Sequence, residues 1–172
     1  GHSMGSFLTR TYLIRYPGTV KAAVIMGTGW QPQAAITGGL ALANAIAAVS
    51  GENATSELVT ELAFGSYNKL FAPNRTKVDW LSADESNVDD YIADPLCGAD
   101  ATVGLFRQML HGIRFNQRQS HLRQMDREMP VLFVAGDKDP VGSCGKGVRQ
   151  TYDAFRAAGM RDCTLKLYPG LR

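Results

Sequence analysis

The sequence predicts an α/β fold: about three parallel strands with flanking helices, interrupted by a long helical insertion. Two apolar runs, Val20–Met26 and Pro130–Ala135, each end in glycine, as strands buried in a parallel sheet do. A glycine-rich turn at residues 1–5 leads straight into a helical pattern. Between the two apolar runs, residues 30–129 carry helical periodicities and no convincing strand, which suits an insertion into a sheet domain better than the sheet itself.

The totals agree with that class. At 172 residues and 45% hydrophobic, the chain is long enough for one core of ordinary size. Its net charge of +2 comes from 18 basic and 16 acidic residues. Arg114, Arg118, Arg123 and Arg127 are spread along a polar helical stretch and read as a solvated face, so nothing points to nucleic acid. Cys97, Cys144 and Cys163 are odd in number and lack metal-ligand spacing. They predict neither a disulfide framework nor a metal site, and a reducing, cytoplasmic compartment.

The elements follow in order. Phe7, Leu8, Thr11 and Ile14 recur at helical spacing until Pro17-Gly18 ends the run. Val20–Met26 and Gly27-Thr28-Gly29 then give a strand and its exit turn, expected to be covered on both faces, so residues 1–29 form the first part of the core. The insertion, residues 30–129, opens with the apolar run Gly38–Val49. That run is shorter than a membrane span and contains Asn44, so it reads as a cap helix, and no transmembrane segment is expected. Helical patterns recur at Ser56–Phe64 and at Ala101–Phe115, the latter with Val103, Phe106, Leu110 and Ile113 on one face. Between them Asn68–Asp100, rich in Asn, Asp, Pro and Ser, reads as ordered loop. Residues 130–172 return to the core. The strand Pro130–Ala135 leads to Gly136-Asp137-Lys138-Asp139-Pro140, then come a helix over Val148–Ala158 stopped by Gly159 and an alternating strand, Thr164–Tyr168.

The chemistry concentrates at the start. Gly1-His2-Ser3-Met4-Gly5 is a G-x-S-x-G sequence, the pattern of a serine held on a strained strand-to-helix turn with its hydroxyl clear of the backbone. The bland reading is a Gly/Ser turn capping an ordinary helix. On the chemical one, Ser3 is the nucleophile at a helix N-terminus, and the Met4 N–H is placed to hold one side of an oxyanion. A serine hydroxyl also needs a general base and an acid to orient it. Asp139 is the favoured acid, because it lies past the C-terminal end of a buried strand and is stiffened by Pro140. Asp137 is the competitor. No base stands out: the His2 side chain should point away from Ser3 on so tight a turn, and His111 and His121 fall in the insertion. Gly142–Gly147 (GSCGKG) lacks the spacing of a phosphate loop and reads as a turn before a helix, so no cofactor is expected.

GHSMGSF, the strand ending GTG, Trp80-Leu81-Ser82-Ala83-Asp84, Asp94-Pro95-Leu96-Cys97-Gly98, AGDKDPVG and LYPGLR together resemble the monoacylglycerol lipase and lysophospholipase branch of the α/β-hydrolases, often grouped with the serine aminopeptidases. The resemblance runs over nearly the whole chain. It implies the C-terminal part of an α/β-hydrolase fold with a helical lid, Ser3 as nucleophile, Met4 as oxyanion donor and Asp139 as triad acid. In that branch a Y-P-G-x-R stretch continues into His-Glu, which would put the base just after Arg172. The strand that feeds the turn and the His-Gly loop that supplies the second oxyanion donor are also expected upstream. The chain therefore reads as a fragment lacking the N-terminal half and the catalytic histidine, inactive by itself and prone to self-association.

The implied partner is a small-molecule ester or lipid, with Leu40, Leu42, Ile46 and Val49 shaping an acyl-binding surface. An aminopeptidase-type enzyme is the alternative, since ester and amide acyl transfer share one triad. A binding module on the same fold is a third reading.

Overall fold

A computed structural model of the chain describes all residues, 1–172. Three parallel strands, β1 (Ala23–Met26), β2 (Val131–Gly136) and β3 (Cys163–Tyr168), lie side by side in that order. Between β1 and β2 run the helices of the insertion, and helix α1 (Met4–Arg15) precedes β1. His2 bridges Met26 in parallel, the Met26 N–H donates to the Gly1 carbonyl at 3.0 Å, and the Ser3 N–H donates to the Met26 carbonyl at 3.0 Å. The last residues of the strand expected to feed the turn are thus present, paired along β1.

One face of the sheet is covered and the other is open. Ile25, Phe133 and Leu165 stand in register. Ile25 and Phe133 are fully buried against α1 and helix α7 (Lys146–Ala157). Phe133 meets Phe155 of α7 edge-on at 5.0 Å. On the other face Val24 is 50% exposed and Met26 41%. The expectation that β1 is covered on both faces is therefore corrected: within this chain no helix lies over that side.

The buried seam of α1 also differs from its predicted stripe. Ser6, Phe7, Arg10, Leu13 and Ile14 are buried, whereas Leu8 is 62% exposed. The seam follows Arg10, whose guanidinium Nη1 donates to the Gly29 carbonyl at 3.0 Å and to Thr28 Oγ1 at 3.3 Å. Its Nε and Nη2 find no partner, and burial pushes its pKa down to about 9.

In the insertion, α2 (Gln33–Ser50) lies across α5 (Val103–Asn116), and Ile36 and Leu40 cluster with Phe7 and Ile113. Gly39 admits this approach: a Cβ there would stand 2.9 Å from Leu110 Cδ1. At 18 residues α2 outruns the predicted Gly38–Val49 and reaches the length and hydropathy of a membrane span; its buried residues are Ile36, Leu40 and Ala43. Helix α3 (Glu57–Phe64) is capped by Ser56, whose hydroxyl oxygen accepts the Val59 N–H.

The segment read as loop, 68–100, contains two 3-10 turns, Asn68–Phe71 and Asp79–Leu81, and a helix, α4 (Glu85–Ala93). Asp84 caps α4 by accepting the Ser86 N–H at 2.9 Å. The helix escapes a hydrophobic reading because Val88 is its one buried residue. After the short helix α6 (Gln119–Leu122), Leu122, Met125 and Met129 enter the cluster that underlies the sheet.

Candidate active site

Ser3 sits where the chain leaves the sheet for α1, with φ 50° and ψ −121°, a region costly for a residue with a Cβ. Local bonds hold it there. Its carbonyl accepts both the Ser6 N–H at 2.8 Å and the Ser6 hydroxyl at 2.6 Å, and Ser6 is fully buried. A Cβ on Gly1 would collide with the Gly5 carbonyl and the Thr9 hydroxyl, so the first glycine of the motif tolerates no side chain. Gly5 differs: a Cβ there would meet nothing within 4 Å. The Met4 N–H, at the first position of α1, has no acceptor and lies at the positive end of the helix.

Asp139 is buried just beyond β2. Its Oδ1 accepts the Val141 N–H at 2.9 Å, and its carbonyl accepts the Cys144 N–H at 2.9 Å. Burial raises the carboxyl pKa, opposed by the N–H groups of Val141 and Gly142 and by nearby His2. Gly27 makes that neighbourhood possible. Its φ is +59°, and a Cβ there would stand 3.3 Å from His2 Cδ2 and Nε2 and 3.5 Å from Asp139 Oδ2. The His2 ring is thus turned toward the side of Gly27 and Asp139.

Asp137 does something else. Its Oδ1 accepts the Gly170 N–H at 2.8 Å, and the Lys138 N–H donates to the Leu171 carbonyl at 2.9 Å, so this acid ties down the turn after β3. The remaining histidines stand apart: His111 Nδ1 lies 3.1 Å from Arg114 Nη2, and His121 Nδ1 lies 2.9 Å from the Phe115 carbonyl. No three His, Cys, Asp or Glu side chains converge as a metal site would need.

Two cavities meet at Ser3. The first, about 540 Å³, is mostly hydrocarbon, with Phe7, Ile36, Leu42, Phe106 and Leu110 in its walls. The second, about 420 Å³, is lined by His2, Ser3, Asp139 and Arg172. Ser3, Trp80 and Val141 border both. Of the residues expected to form an acyl surface, Leu42 faces the first cavity, Leu40 is spent on packing with Phe7, and Val49 is 89% exposed. Arg172 Nη1 donates to the Asp79 carbonyl at 2.6 Å and its guanidinium lies over the Phe71 ring at 4.1 Å, joining the end of the chain to the insertion.

Two further residues border the site, Ser6 at the Ser3 carbonyl and Tyr67 in the cavity wall. Ser6 follows the motif directly, and a small polar residue at a helix start could have flagged it. Tyr67, which lines the first cavity, gives no periodic or motif signal.

The sequence matches the family described as serine aminopeptidase, S33, over residues 1–172. The chain belongs to that family. Its fold is that of the α/β-hydrolases, and the S33 chain superimposes on several of known structure. Over its full length it matches a thermostable carboxyl esterase from Bacillus coagulans, solved with glycerol, at a TM-score of 0.90 and 24% identity, covering 56% of that chain. A lipase in an open form matches at 0.82 and 23%, again over 100% of this chain and 56% of the other. A monoacylglycerol lipase from Paleococcus ferrophilus matches at 0.64 and 17%, over 99% of this chain and 57% of the other. The S33 chain thus spans a little over half the length of these structures. Among curated proteins none matches it.

Proposed function

We propose that these residues supply the nucleophile, the triad acid and the cap of a serine hydrolase that cleaves carboxylic esters of the monoacylglycerol or lysophospholipid type. The supporting observation is Ser3, held in a strained turn where an apolar cavity meets a cavity containing a buried carboxylate. In this reading the Ser3 hydroxyl oxygen attacks the ester carbonyl carbon while a base takes its proton. The Met4 N–H donates to the oxyanion of the tetrahedral intermediate. The base returns the proton to the leaving alcohol, and water then releases the acyl group from Ser3. Asp139 orients the base, which by resemblance follows Arg172, a residue already on the wall of the second cavity.

An ester is favoured over a peptide N-terminus by the first cavity, which offers hydrocarbon walls and no charged side chain to receive an ammonium. The open sheet face at Val24 and Met26 supports self-association of the chain when it is by itself.

The test uses the intact protein that carries these residues. A fluorophosphonate should label Ser3, and a monoacylglycerol should be hydrolysed while an aminoacyl-naphthylamide is not. Ser3→Ala should abolish both labelling and turnover. The 172 residues alone should give no Ser3-dependent turnover of p-nitrophenyl butyrate. Hydrolysis of the naphthylamide alone would replace the ester reading with a peptidase, and hydrolysis surviving Ser3→Ala would remove the proposed nucleophile.

A further inference from the structure

The cavity beside Ser3 has two unlike walls. Ile36, Leu42, Leu110 and Ile113, from α2 and α5, present hydrocarbon and nothing that forms a hydrogen bond. A cluster of rings completes the lining. Tyr67 and Trp80 meet edge-on at 5.2 Å, and Phe64 stacks on Trp80 at 6.1 Å and 9°. The ringed wall is the one that reaches the acid, because Trp80 borders the second cavity along with Asp139. Tyr67 lines the cavity, and its hydroxyl makes no hydrogen bond within the chain and is not among the sealed, unpartnered polar atoms. Its pKa is raised, first by burial and then by the Asp139 charge, so it stays protonated and able to donate throughout the neutral range.

An ester bound with its carbonyl at Ser3 sends its two arms in different directions. The acyl chain suits the hydrocarbon wall, which leaves the alcohol part against the rings. We propose that Tyr67 is the residue that selects the alcohol, its hydroxyl pairing with a hydroxyl group carried by that alcohol. In a monoacylglycerol that group is a free glycerol hydroxyl, and simple alkyl esters lack it. An unpaired phenol in an otherwise apolar wall favours a ligand that brings a polar partner and disfavours one that leaves it dry. This inference rests on the ester-hydrolase reading.

The experiment compares two esters with the same acyl group, glyceryl monobutyrate and ethyl butyrate, on the intact protein and on Tyr67→Phe. Because the hydroxyl has no partner inside the chain, its removal should leave the thermal midpoint unchanged. The expected result is about a tenfold fall in kcat/KM on the glyceryl ester, carried mainly by KM, with less than about a twofold change on the ethyl ester. An equal fall on both esters assigns Tyr67 a structural role and overturns the inference, as does no change on the glyceryl ester. If neither ester is hydrolysed and a fluorophosphonate leaves Ser3 unmodified, the ester-hydrolase reading fails and takes this inference with it.

Discussion

Gly27→Ala should separate the cost of an unusual backbone from the cost of disturbing the site. At φ +59° an alanine is strained by about 1–2 kcal/mol. Gly18, in the turn that ends α1, has φ +76° and open space where a Cβ would go, so Gly18→Ala carries the same backbone strain and touches nothing. The two differ in what the new methyl meets. At Gly27 it stands 3.3 Å from the His2 ring and 3.5 Å from Asp139 Oδ2, so the ring must yield by a few tenths of an ångström. His2 is exposed and can swing outward, which adds no more than about 1 kcal/mol. Both variants should therefore lose similar stability in urea unfolding. Activity should part them. A displaced His2 ring alters the surroundings of Asp139, and small misplacements of a group that orients a base are costly. On a butyrate ester, kcat/KM should fall about tenfold for Gly27→Ala and stay near the parent value for Gly18→Ala. Equal losses in the two variants would show that the contact with His2 and Asp139 has no bearing on the reaction.

The backbone at Ser3 and the titration of Asp139 give two more expectations. Ser3→Gly removes the strain at φ 50° and ψ −121°, so it should stabilise the fold by about 1–2 kcal/mol in urea while ending fluorophosphonate labelling; a loss of stability would refute the strained turn. Asp139 binds its proton more tightly folded than unfolded, so its contribution to stability falls as pH rises from the ordinary aspartate pKa, about 3.9, through the raised folded value. Asp139→Asn abolishes that fall. At pH 7 the variant should melt above the parent, and the gap should close toward pH 3; a gap independent of pH would refute the assigned direction.

Where an element carries its own hydrophobic periodicity, the sequence was a sufficient guide to it. β2 and α7 appear within a residue or two of their predicted spans, and α5 shows Val103, Phe106 and Ile113 buried as its pattern requires. Where burial depends on partners distant in sequence, the pattern misled. Leu8 looks like a core residue but is exposed, because the seam of α1 is fixed by Arg10 reaching the turn at Thr28 and Gly29. The apolar run of β1 promised two covered faces, yet hydrophobicity states only that a residue favours burial and does not name what buries it.

The site divides along the same line. The strain at Ser3, the free N–H of Met4 and the exit into a helix were legible in five residues, because all three are local. The choice of acid rests on less. Asp137 and Asp139 are the same residue type two positions apart on one strand exit, and local sequence ranks them only by distance from the strand and by Pro140. Their environments separate through long-range bonds: Asp137 takes the N–H of Gly170 in the next turn, whereas Asp139 folds back on Val141 beside Gly27 and His2. His2 makes the same point. Its ring lies beside Gly27 at the strand exit of β1, on the side of Asp139. No spacing rule within either segment could have linked residues 2, 27 and 139.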